Sequence, residues 1–551
     1  MKILILGGYG VFGGRLIRLL ADLPALELLV AGRTLASAQA FCNGYRGQST
    51  LRPLQLDRQQ LAPALQAERP DLVVDASGPF QEYGADGYAA IEACIAAGID
   101  YLDFADGADF VFGVSQYDAQ AKAAGIYVLS GVSSFPVLTG AVLRAMAARM
   151  DIVTVEGGIA PSPFAGIGLN VMRAVVGYAG APVRLRRGGR DGHGIGLAES
   201  RRFTVAVPGR IPLRNLHFSL VDVPDLRVLP REHPTLTDIW MGAGPVPELL
   251  HRILNLLAKA RQHLRLPSLE PLSRLFYTVL NLMKFGEHRG GMIVRATGLR
   301  DGVPMQQSWH LLAEADDGPY IPSMAIEGLI RKQLAGERPA PGARPATHAL
   351  ELSDYDRLFE GRTIHTGFRR DMPGASLYQR VLGDAYAQLP ASLQALHAPG
   401  AARRWQGRAR VERGTGLLSR LLGRLFGFPA AADDVPVSVE FSAEAGGERW
   451  TRSFGGHRFS SLQTEGRGRD EALLVERFGA VSVGLALVVG GGRLQLMPRR
   501  WSVLGIPLPR ALLPGDNSFE YDVDGQFVFD VEIGAPLVGR IVHYRGTLQP
   551  A

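Results

Sequence analysis

Gly7-Gly8-Tyr9-Gly10-Val11-Phe12-Gly13 follows an apolar run at residues 2–6 and opens a helical pattern at residues 11–23. Within it, Gly8, Gly10 and Gly13 have the spacing of a dinucleotide-binding turn between a strand and a helix. The first glycine allows the sharp bend, the second lets the backbone approach a pyrophosphate, and the third lets helix and strand pack closely. The helix N-terminus offers N–H groups to the phosphates. The sequence therefore predicts that residues 7–13 bind a dinucleotide.

Apolar runs and helical patterns continue to alternate as far as residue 140. The runs predict strands at residues 26–31, 71–76, 100–104 and 126–130, and the patterns predict helices at residues 34–43, 88–97 and 117–124. Continuous apolar strands separated by helices are typical of a parallel sheet that is covered on both faces. We therefore expect residues 1–140 to form an α/β Rossmann domain with a doubly wound parallel sheet.

The residues that end the second strand indicate which dinucleotide binds. A site for NAD(H) carries Asp or Glu about 20 residues after the glycines, where the carboxylate binds the ribose 2′-hydroxyl. Here Gly32-Arg33-Thr34 holds that place. Arg33 can pair with a 2′-phosphate and Thr34 can donate a hydrogen bond to it, so the sequence favours NADP(H) over NAD(H). The alternative is that Arg33 caps a turn or stacks on adenine without discriminating between the cofactors.

This domain resembles the NADP-binding domain of the saccharopine dehydrogenase-like (saccharopine reductase) family. The resemblance implies that Ser77, Gly78, Pro79 and Phe80 lie beside the cofactor, towards its nicotinamide half. It implies an oxidoreductase and says little about the substrate. The stretches that carry it are the glycine turn, Gly32-Arg33, Asp75-Ala76-Ser77-Gly78-Pro79-Phe80, Tyr101-Leu102-Asp103 and Gly131-Val132-Ser133-Ser134-Phe135-Pro136, with Trp309-His310-Leu311-Leu312 and Asp317-Gly318-Pro319-Tyr320-Ile321-Pro322 similar to the second domain of bacterial members.

Residues 141–370 predict a second domain of the α+β class. Strand patterns occur at residues 202–207, 292–299 and 308–314, and a helical pattern at residues 326–334. The Pro- and Gly-rich segment at residues 337–345 predicts a surface loop or linker.

A helical insert at about residues 246–285 interrupts this second domain. From residue 249 to residue 265, Leu and Ile alternate with His, Lys and Arg. Basic amphipathic helices of this kind lie in membrane interfaces, so residues 246–266 are a candidate for peripheral membrane contact. The alternative is that the apolar face packs on the domain or on a second subunit of a homo-oligomer.

Residues 375–551 predict a third domain, helical at residues 377–389 and then rich in short strands. Their even spacing favours a mainly antiparallel sheet or barrel, and Asp524-Gly525 between two of them predicts a tight hairpin. The region resembles domain of unknown function 4166, an uncharacterised bacterial domain, at residues 378–389, 499–501, 507–513 and 542–548, which implies no activity. The predicted strands lie at residues 437–441, 449–454, 472–478, 481–489, 493–501, 519–524, 527–533 and 539–547.

Candidates for acid or base chemistry are few. Asp103 and Asp106 follow a strand on the ligand side of the sheet, where each can exchange a proton or cap the next helix. Tyr320 is a candidate proton donor, and the alternative is a packed loop tyrosine. His310 adjoins an apolar strand, which is typical of a core histidine. No HExxH, CxxC or acidic cluster has the spacing of metal ligands, so we expect no metal.

Composition excludes several classes of protein. The formal net charge of +6 is spread over 551 residues with no concentrated basic stripe, so we expect no nucleic-acid partner. Two cysteines, Cys42 and Cys94, argue against a disulfide framework and fit a reducing compartment. We expect no signal peptide, because a buried-strand pattern follows Met1 directly, and no transmembrane helix, because no stretch of eighteen or more apolar residues lacks charges. We expect a cytoplasmic protein, with any membrane association confined to its surface.

Three functions follow as hypotheses. The first is an NADP-dependent oxidoreductase of the saccharopine dehydrogenase-like type that moves a hydride to or from an unidentified small-molecule or lipid-like substrate. The second is a trans-acting enoyl reductase of a lipid or polyketide chain, which some relatives resemble. The third is a non-catalytic NADP-binding protein whose β domain binds a ligand or a partner.

Overall fold

The computed structural model describes residues 1–80, 86–166, 168–244, 248–400, 403–515 and 517–551. The chain divides into two units. The first contains Met1–Arg202, His217–Gln306 and Leu312–His365, and the second contains Phe203–Leu216, Gln307–Leu311 and Thr366–Ala551. None of the helices in these described ranges is long and apolar enough to cross a membrane.

The N-terminal part has the predicted Rossmann-like α/β fold. Its short strands are parallel and run in the order β6-β5-β4-β1-β2-β3, so the first strand lies in the middle of the sheet. The strands are β1 (Lys2–Leu6), β2 (Glu27–Gly32), β3 (Thr50–Gln55), β4 (Leu72–Asp75), β5 (Asp100–Asp103) and β6 (Tyr127–Ser130), and the helices are α1 (Val11–Leu19), α2 (Leu35–Asn43), α3 (Leu61–Glu68), α4 (Ala89–Ala97), α5 (Ala108–Gly113), α6 (Asp118–Ala123) and α7 (Thr139–Ala147).

The middle part is α+β, as predicted, and contains a second sheet of seven strands in the order β10-β11-β12-β7-β13-β14-β16. The central strand β7 pairs in parallel with β12 and antiparallel with β13, so the sheet is mixed. Its strands, with the separate hairpin β8–β9 and the strand β15, are β7 (Asp151–Ala160), β8 (Pro182–Arg187), β9 (Arg190–Ile195), β10 (Ser200–Val205), β11 (Leu213–Leu220), β12 (Asp238–Ala243), β13 (Gly290–Arg300), β14 (Val303–Ala313), β15 (Gly342–Pro345) and β16 (Ile364–Arg370). The helices are α8 (Leu169–Tyr178), α9 (Asp225–Glu232), α10 (Glu248–Leu264), α11 (Ser273–Leu282), α12 (Ile321–Leu334) and α13 (Leu352–Phe359).

The segment predicted as a surface loop, residues 337–345, is a loop only in its first part. Strand β15 pairs in parallel with β6 and becomes the seventh, edge strand of the first sheet. The loop prediction was wrong for these four residues because Gly and Pro weigh against a strand. An edge strand tolerates Pro345 at its end, since one side of it has no partner to bond. Ala343 supplies the buried side chain.

The C-terminal part forms a closed antiparallel barrel of ten strands, in agreement with the predicted β-rich class. Strands β17 to β27, apart from β24, form the ring, and the pairing of β22 with β23 closes it. Asp524 and Gly525 both have positive φ, at 53° and 81°, which confirms the predicted hairpin. The elements are α14 (Leu377–Leu382), α15 (Ala391–Leu396), β17 (Arg403–Arg413), α16 (Leu417–Leu425), β18 (Ala432–Glu444), β19 (Gly447–Phe454), β20 (His457–Glu465), β21 (Leu474–Phe478), β22 (Val481–Gly490), β23 (Arg493–Val503), β24 (Ile506–Pro507), β25 (Ser518–Val523), β26 (Gln526–Ala535) and β27 (Gly539–Pro550).

Candidate functional site

The glycine turn between β1 and α1 has the geometry that its sequence predicts. Gly7 has φ of +71°, and a Cβ atom on it would lie 2.7 Å from the carbonyl oxygen of Ala76. A Cβ atom on Gly13 would lie 2.5 Å from the carbonyl oxygen of Gly7. Both distances are far below van der Waals contact, so the close approach of backbone segments at this turn requires glycine. Gly8 donates its N–H to the carbonyl of Ala31, which ties the turn to β2.

The first turn of α1 presents donors to this turn. Gly10 occupies the N-cap position, and no side chain caps the helix there. The backbone N–H groups of Val11, Phe12 and Gly13 have no acceptor in the described part of the chain. Unpaired N–H groups at a helix N-terminus, with the positive end of the helix dipole, favour a bound phosphate. The turn therefore fits the pyrophosphate of a dinucleotide.

The end of β2 is arranged around Tyr9. The Tyr9 hydroxyl accepts a hydrogen bond from the backbone N–H of Thr34 at 3.2 Å, and its ring fills the space that a side chain on Gly32 would need. Arg33 is exposed, and no ion pair with it is formed by a residue in the described ranges. A guanidinium and two hydroxyl-bearing side chains thus stand where an NAD(H) site carries an acid.

Ser77 and Gly78, which follow β4, are held from two sides. The buried Asp75 carboxylate accepts hydrogen bonds from the Ser77 backbone N–H at 3.0 Å and from the Ser77 Oγ at 2.5 Å, and it pairs with Arg58 at 3.0 Å. Asn170 donates its Nδ2 to the Gly78 carbonyl at 2.6 Å. The Gly78–Pro79 peptide bond is cis. These contacts fix the segment at the carboxyl edge of the sheet, where ligands of such folds bind.

Phe80 differs from its neighbours. Its ring is 5% exposed and packs against Phe110, with the ring centroids 5.2 Å apart. The side chain therefore belongs to the core of the first domain. Any contact of Phe80 with a cofactor has to come from its backbone.

Asn170 is a residue of this site that the sequence did not reveal. It lies in the first turn of α8, next to Gly168, where a Cβ atom would lie 3.5 Å from the Val11 side chain. Arg15 of α1 also donates to the carbonyl of Ala165 at 2.9 Å. The segment before α8 therefore borders the glycine turn. A lone Asn in a Gly-rich passage carries no motif, so the sequence held no signal for it.

Asp103 is a buried acceptor at the end of β5. Its Oδ1 accepts hydrogen bonds from the Ala105 N–H at 3.0 Å, the Ser130 hydroxyl at 3.0 Å and the Gly131 N–H at 2.7 Å. Its Oδ2 is buried with no hydrogen-bond partner in the described ranges. Burial raises the pKa of this carboxyl to about 7 against the lowering effect of the three donors. These contacts tie the end of β5 to the end of β6.

Tyr320 lies in a 3-10 turn just before α12, and it is partly buried. Burial lowers the pKa of Arg15, and the nearby Tyr320 opposes that shift. The 3-10 turn that contains Tyr320 packs against α1. Ser323, one turn further on, donates to the Phe12 carbonyl at 3.3 Å. Tyr320 and the glycine turn therefore both lie next to helix α1.

The two other polar candidates lie elsewhere. Both ring nitrogens of the buried His310 are bonded, Nδ1 to the Ala206 N–H at 3.1 Å and Nε2 to the Ser308 hydroxyl at 2.9 Å. These bonds give His310 a structural role in the second unit. Asp106 is half-buried in the loop before α5. Within the described ranges, no group of three His, Cys, Asp or Glu side chains is arranged to hold a metal.

Comparisons with known proteins agree with this geometry in the two terminal parts. Residues 3–129 match the family model of the saccharopine dehydrogenase NADP binding domain, and residues 389–548 match the model of a domain of unknown function, DUF4166. A sequence comparison with curated proteins gave no match.

Solved structures similar to this chain include several dehydrogenases. An amine dehydrogenase from Mycobacterium smegmatis is 12% identical with a TM-score of 0.33, over 62% of this chain and 94% of that one. The WlbA (WbpB) dehydrogenase from Thermus thermophilus, in complex with NAD and alpha-ketoglutarate, is 11% identical with a TM-score of 0.30, over 62% and 90%. A Gfo/Idh/MocA family oxidoreductase from Vibrio cholerae is 11% identical with a TM-score of 0.28, over 62% and 91%. At these values none of the likenesses assigns an activity to this chain.

The glycine turn, the free N–H groups of α1 and the fixed segment after β4 all lie within or next to the part that matches a family model. Residues 3–129 are therefore similar to a nicotinamide-dinucleotide-binding domain of the saccharopine dehydrogenase type, and residues 389–548 are similar to DUF4166.

Proposed function

We propose that the protein is an NADP(H)-dependent oxidoreductase that acts on a lipid-like substrate. The observation that carries the cofactor part is the pairing of a glycine turn for the pyrophosphate with Arg33, and no acid, at the end of β2. A guanidinium binds a 2′-phosphate through paired, charge-assisted hydrogen bonds, whereas an acid there would repel it.

The cofactor, when bound, supplies or accepts the hydride. The chain contributes binding and orientation. Ser77 commits its hydroxyl to Asp75, and Asn170 holds the Gly78 carbonyl, so Ser77 to Pro79 form a fixed segment that would border the nicotinamide half of a bound cofactor. Of the two predicted proton donors, Tyr320 is the better supported. Its 3-10 turn packs against α1, whereas Oδ1 of the Asp103 carboxylate already accepts hydrogen bonds from three donors.

A deuterium-transfer experiment tests the reaction class. We expect deuterium from 4-deuterated NADPH to appear in a lipid-like acceptor, such as an enoyl chain or a long-chain carbonyl compound, as detected by mass spectrometry. Gly13→Ala should abolish transfer and NADPH fluorescence enhancement, because its Cβ would collide with the Gly7 carbonyl.

Gly177→Ala is the matched control for this variant. Gly177 is also a helical glycine of the first unit, and a Cβ atom on it meets no atom within 4 Å. NADPH binding by the Gly13→Ala variant at wild-type affinity would refute the proposed cofactor site. Cofactor binding without transfer to any acceptor of a broad panel would support a non-catalytic protein instead.

The lipid part of the proposal is supported by helix α10, which exposes large apolar side chains on its outer face. Residues 246 and 247 of the predicted insert lie outside the described residues, and α10 begins at Glu248. Its inner face is mixed, with Leu254 and Ala258 buried beside polar groups. Asn255 donates to the Leu197 carbonyl at 2.7 Å, and Arg261 donates to the Ala179 carbonyl at 2.6 Å. The outer face carries Leu249 and Leu256, which are 63% and 66% exposed.

Helix α11 continues this apolar surface beside the candidate site. Leu275 and Leu282 are 59% and 78% exposed, and α11 packs against α8, whose first turn contains Asn170. Exposed basic side chains, among them Lys259, Arg265 and Lys284, accompany the leucines. Apolar side chains with flanking cations suit an anionic membrane interface. A membrane-facing surface next to the cofactor site favours a substrate drawn from lipid.

We expect the protein to sediment with anionic phosphatidylglycerol vesicles and far less with neutral phosphatidylcholine vesicles. Leu249→Ser with Leu256→Ser should weaken vesicle binding about 10- to 100-fold, since two leucines would lose roughly 1 kcal/mol or more each of apolar burial. Leu299→Ser with Val303→Ser, on the exposed β13–β14 hairpin, is the control pair and should bind as wild type does. Equal binding by both double variants would exclude α10 as the contact.

A further inference from the structure

The C-terminal barrel encloses a cavity of about 1010 Å³, which nothing described so far explains. Barrels of eight strands are just wide enough for side chains to fill or for one small ligand, and diameter grows with strand number. A ring of ten strands therefore leaves space along its axis. Strands such as β22, with ten residues, give a depth of roughly 25 Å at about 3.3 Å per residue and a tilt of about 40°. The lumen is long and narrow.

The wall of this lumen is mainly apolar. Its lining includes Val439, Phe454, Leu485, Leu496, Phe529 and Ile533. An apolar cavity of this size, at the upper end of the range of small-molecule pockets, suits an extended hydrocarbon chain.

One end of the barrel is closed. The connections β18–β19, β22–β23 and β25–β26 lie at this end, and α15 packs against β25 and β26. Tyr378 and Leu396, from the helices there, line the lumen. The Tyr378 ring stacks on His397, with centroids 3.6 Å apart, and its hydroxyl donates to Gln463 at 3.1 Å. The lumen is therefore blind at this end, which we call the floor.

The opposite end opens to solvent. Leu425 of α16 and Leu512 line the lumen and are 72% and 44% exposed, so the cavity reaches the surface between them. Further leucines of α16, Leu417 and Leu421, are 84% and 62% exposed beside this opening. These apolar side chains offer an entry path to an apolar ligand.

The lower part of the lumen carries polar groups that already pair with one another. Arg452 pairs with Glu476 at 3.1 Å, and Glu520 accepts or shares a proton with His397 at 2.6 Å. Neither pair contains a cation that lacks an anionic partner. Two further charged lining residues, Arg424 and Arg458, form no ion pair within the described ranges, and both are exposed. A carboxylate brought to the floor would meet Glu476 and Glu520 with no cation to neutralise it.

Ser518 is a further polar residue of the lumen. It lines the lumen, is 4% exposed, and its hydroxyl has no hydrogen-bond partner in the described part of the chain. A buried hydroxyl without a partner is costly, and a ligand hydroxyl or carbonyl oxygen would satisfy it. The Glu520 carboxylate, two residues further along the same strand, can accept from a ligand hydroxyl.

We propose that the barrel binds a single long-chain lipid with an uncharged polar head, such as a fatty alcohol, with the head at Ser518 and the chain running towards the α16 opening. The proposal is independent of the oxidoreductase function, because every residue that carries it belongs to the second unit. It assigns a binding site to the DUF4166 domain.

Displacement of the uncharged fluorescent probe N-phenyl-1-naphthylamine from the full-length protein tests the proposal. We expect hexadecan-1-ol to displace the probe at a concentration at least tenfold lower than hexadecanoic acid does. Ser518→Val should reduce this preference for the alcohol about tenfold while leaving probe binding intact. Equal or tighter binding of the acid would overturn the uncharged head group.

Val531→Trp tests the lumen itself. Val531 is a partly buried lining residue, and the larger ring should fill the cavity and abolish probe binding. Val523→Trp, an exposed position on β25, is the matched control. Circular dichroism reports whether each variant is folded. A folded Val531→Trp variant that binds probe and alcohol as wild type does would overturn the site in the lumen.

Discussion

Arg33→Ala is expected to weaken NADPH binding by about 30-fold and to leave NADH binding unchanged. The guanidinium lies at the end of β2, exposed and without an ion-pair partner in the described ranges, so it is free to pair with a 2′-phosphate. Charge-assisted hydrogen bonds of this kind contribute about 2 kcal/mol, which corresponds to the stated factor. NADH has a hydroxyl at that position, so the substitution removes no charge-assisted hydrogen bond from its complex. Fluorescence titrations with both cofactors at fixed ionic strength measure the two affinities.

Arg33→Asp should go further and reverse the preference. A carboxylate at this position repels a 2′-phosphate and accepts a hydrogen bond from a 2′-hydroxyl, so NADH should bind more tightly than NADPH. Arg46→Ala is the control, because Arg46 is exposed in the loop that enters β3, at the amino edge of the sheet. If Arg33→Ala bound NADPH as tightly as wild type does, Arg33 would not recognise the phosphate, and its alternative role of capping or stacking would stand.

The sequence predicts the structure best where the backbone geometry admits only one type of residue. The turn at residues 7–13 could be predicted because positive φ and close backbone approach admit only glycine, and the spacing of those glycines is itself diagnostic. The hairpin at Asp524-Gly525 could be predicted for the same reason. In both cases a local steric requirement selects the residue type, so the residue type reveals the structure.

Strands β3 and β17 could not be predicted from the sequence, because their side chains face both solvent and core and so form no continuous apolar run. Strand β3 lies at the edge of the first sheet and contains Arg52 and Pro53, so it shows no apolar run. Strand β17 of the barrel alternates arginines outward with Trp405, Ala409 and Val411 inward, and its many charges obscure that pattern. The closure of the barrel depends on the pairing of β22 with β23 within a ring of ten, which no local signal encodes.

Contacts between distant segments of the site were equally inaccessible. Asn170 reaches Gly78 across 92 residues of sequence, and Tyr320 approaches Arg15 from a separate helix. Asp103 was visible as a polar residue after a strand, yet its hydrogen bonds to Ser130 and Gly131 depend on the neighbouring strand. Residue type identified candidates, and only tertiary structure distinguishes a group that binds ligand from one that holds the sheet together.

Asp103→Asn is expected to remove a decrease in the free energy of unfolding that wild type shows as pH rises. Burial raises the pKa of the Asp103 carboxyl to about 7, so between pH 4 and pH 7 the folded chain keeps a proton that the unfolded chain has released. The free energy of unfolding contributed by this group therefore falls as pH rises through that window, by roughly 4 kcal/mol in total. Asparagine does not titrate there, so wild type and variant should diverge with rising pH in chemical denaturation curves.

Asp103→Ala separates the charge from the hydrogen bonds. Asparagine keeps an Oδ1 that can accept from the Ala105 N–H, the Ser130 hydroxyl and the Gly131 N–H, whereas alanine leaves these buried donors unpaired. The alanine variant should be about 3 kcal/mol less stable than the asparagine variant at every pH, because neither side chain titrates. An asparagine variant less stable than wild type at pH 8 would contradict the uncompensated burial of charge. If Asp103 only joins β5 to β6, the folded asparagine variant retains hydride transfer, whereas a catalytic acid at this position requires that transfer be lost while NADPH still binds.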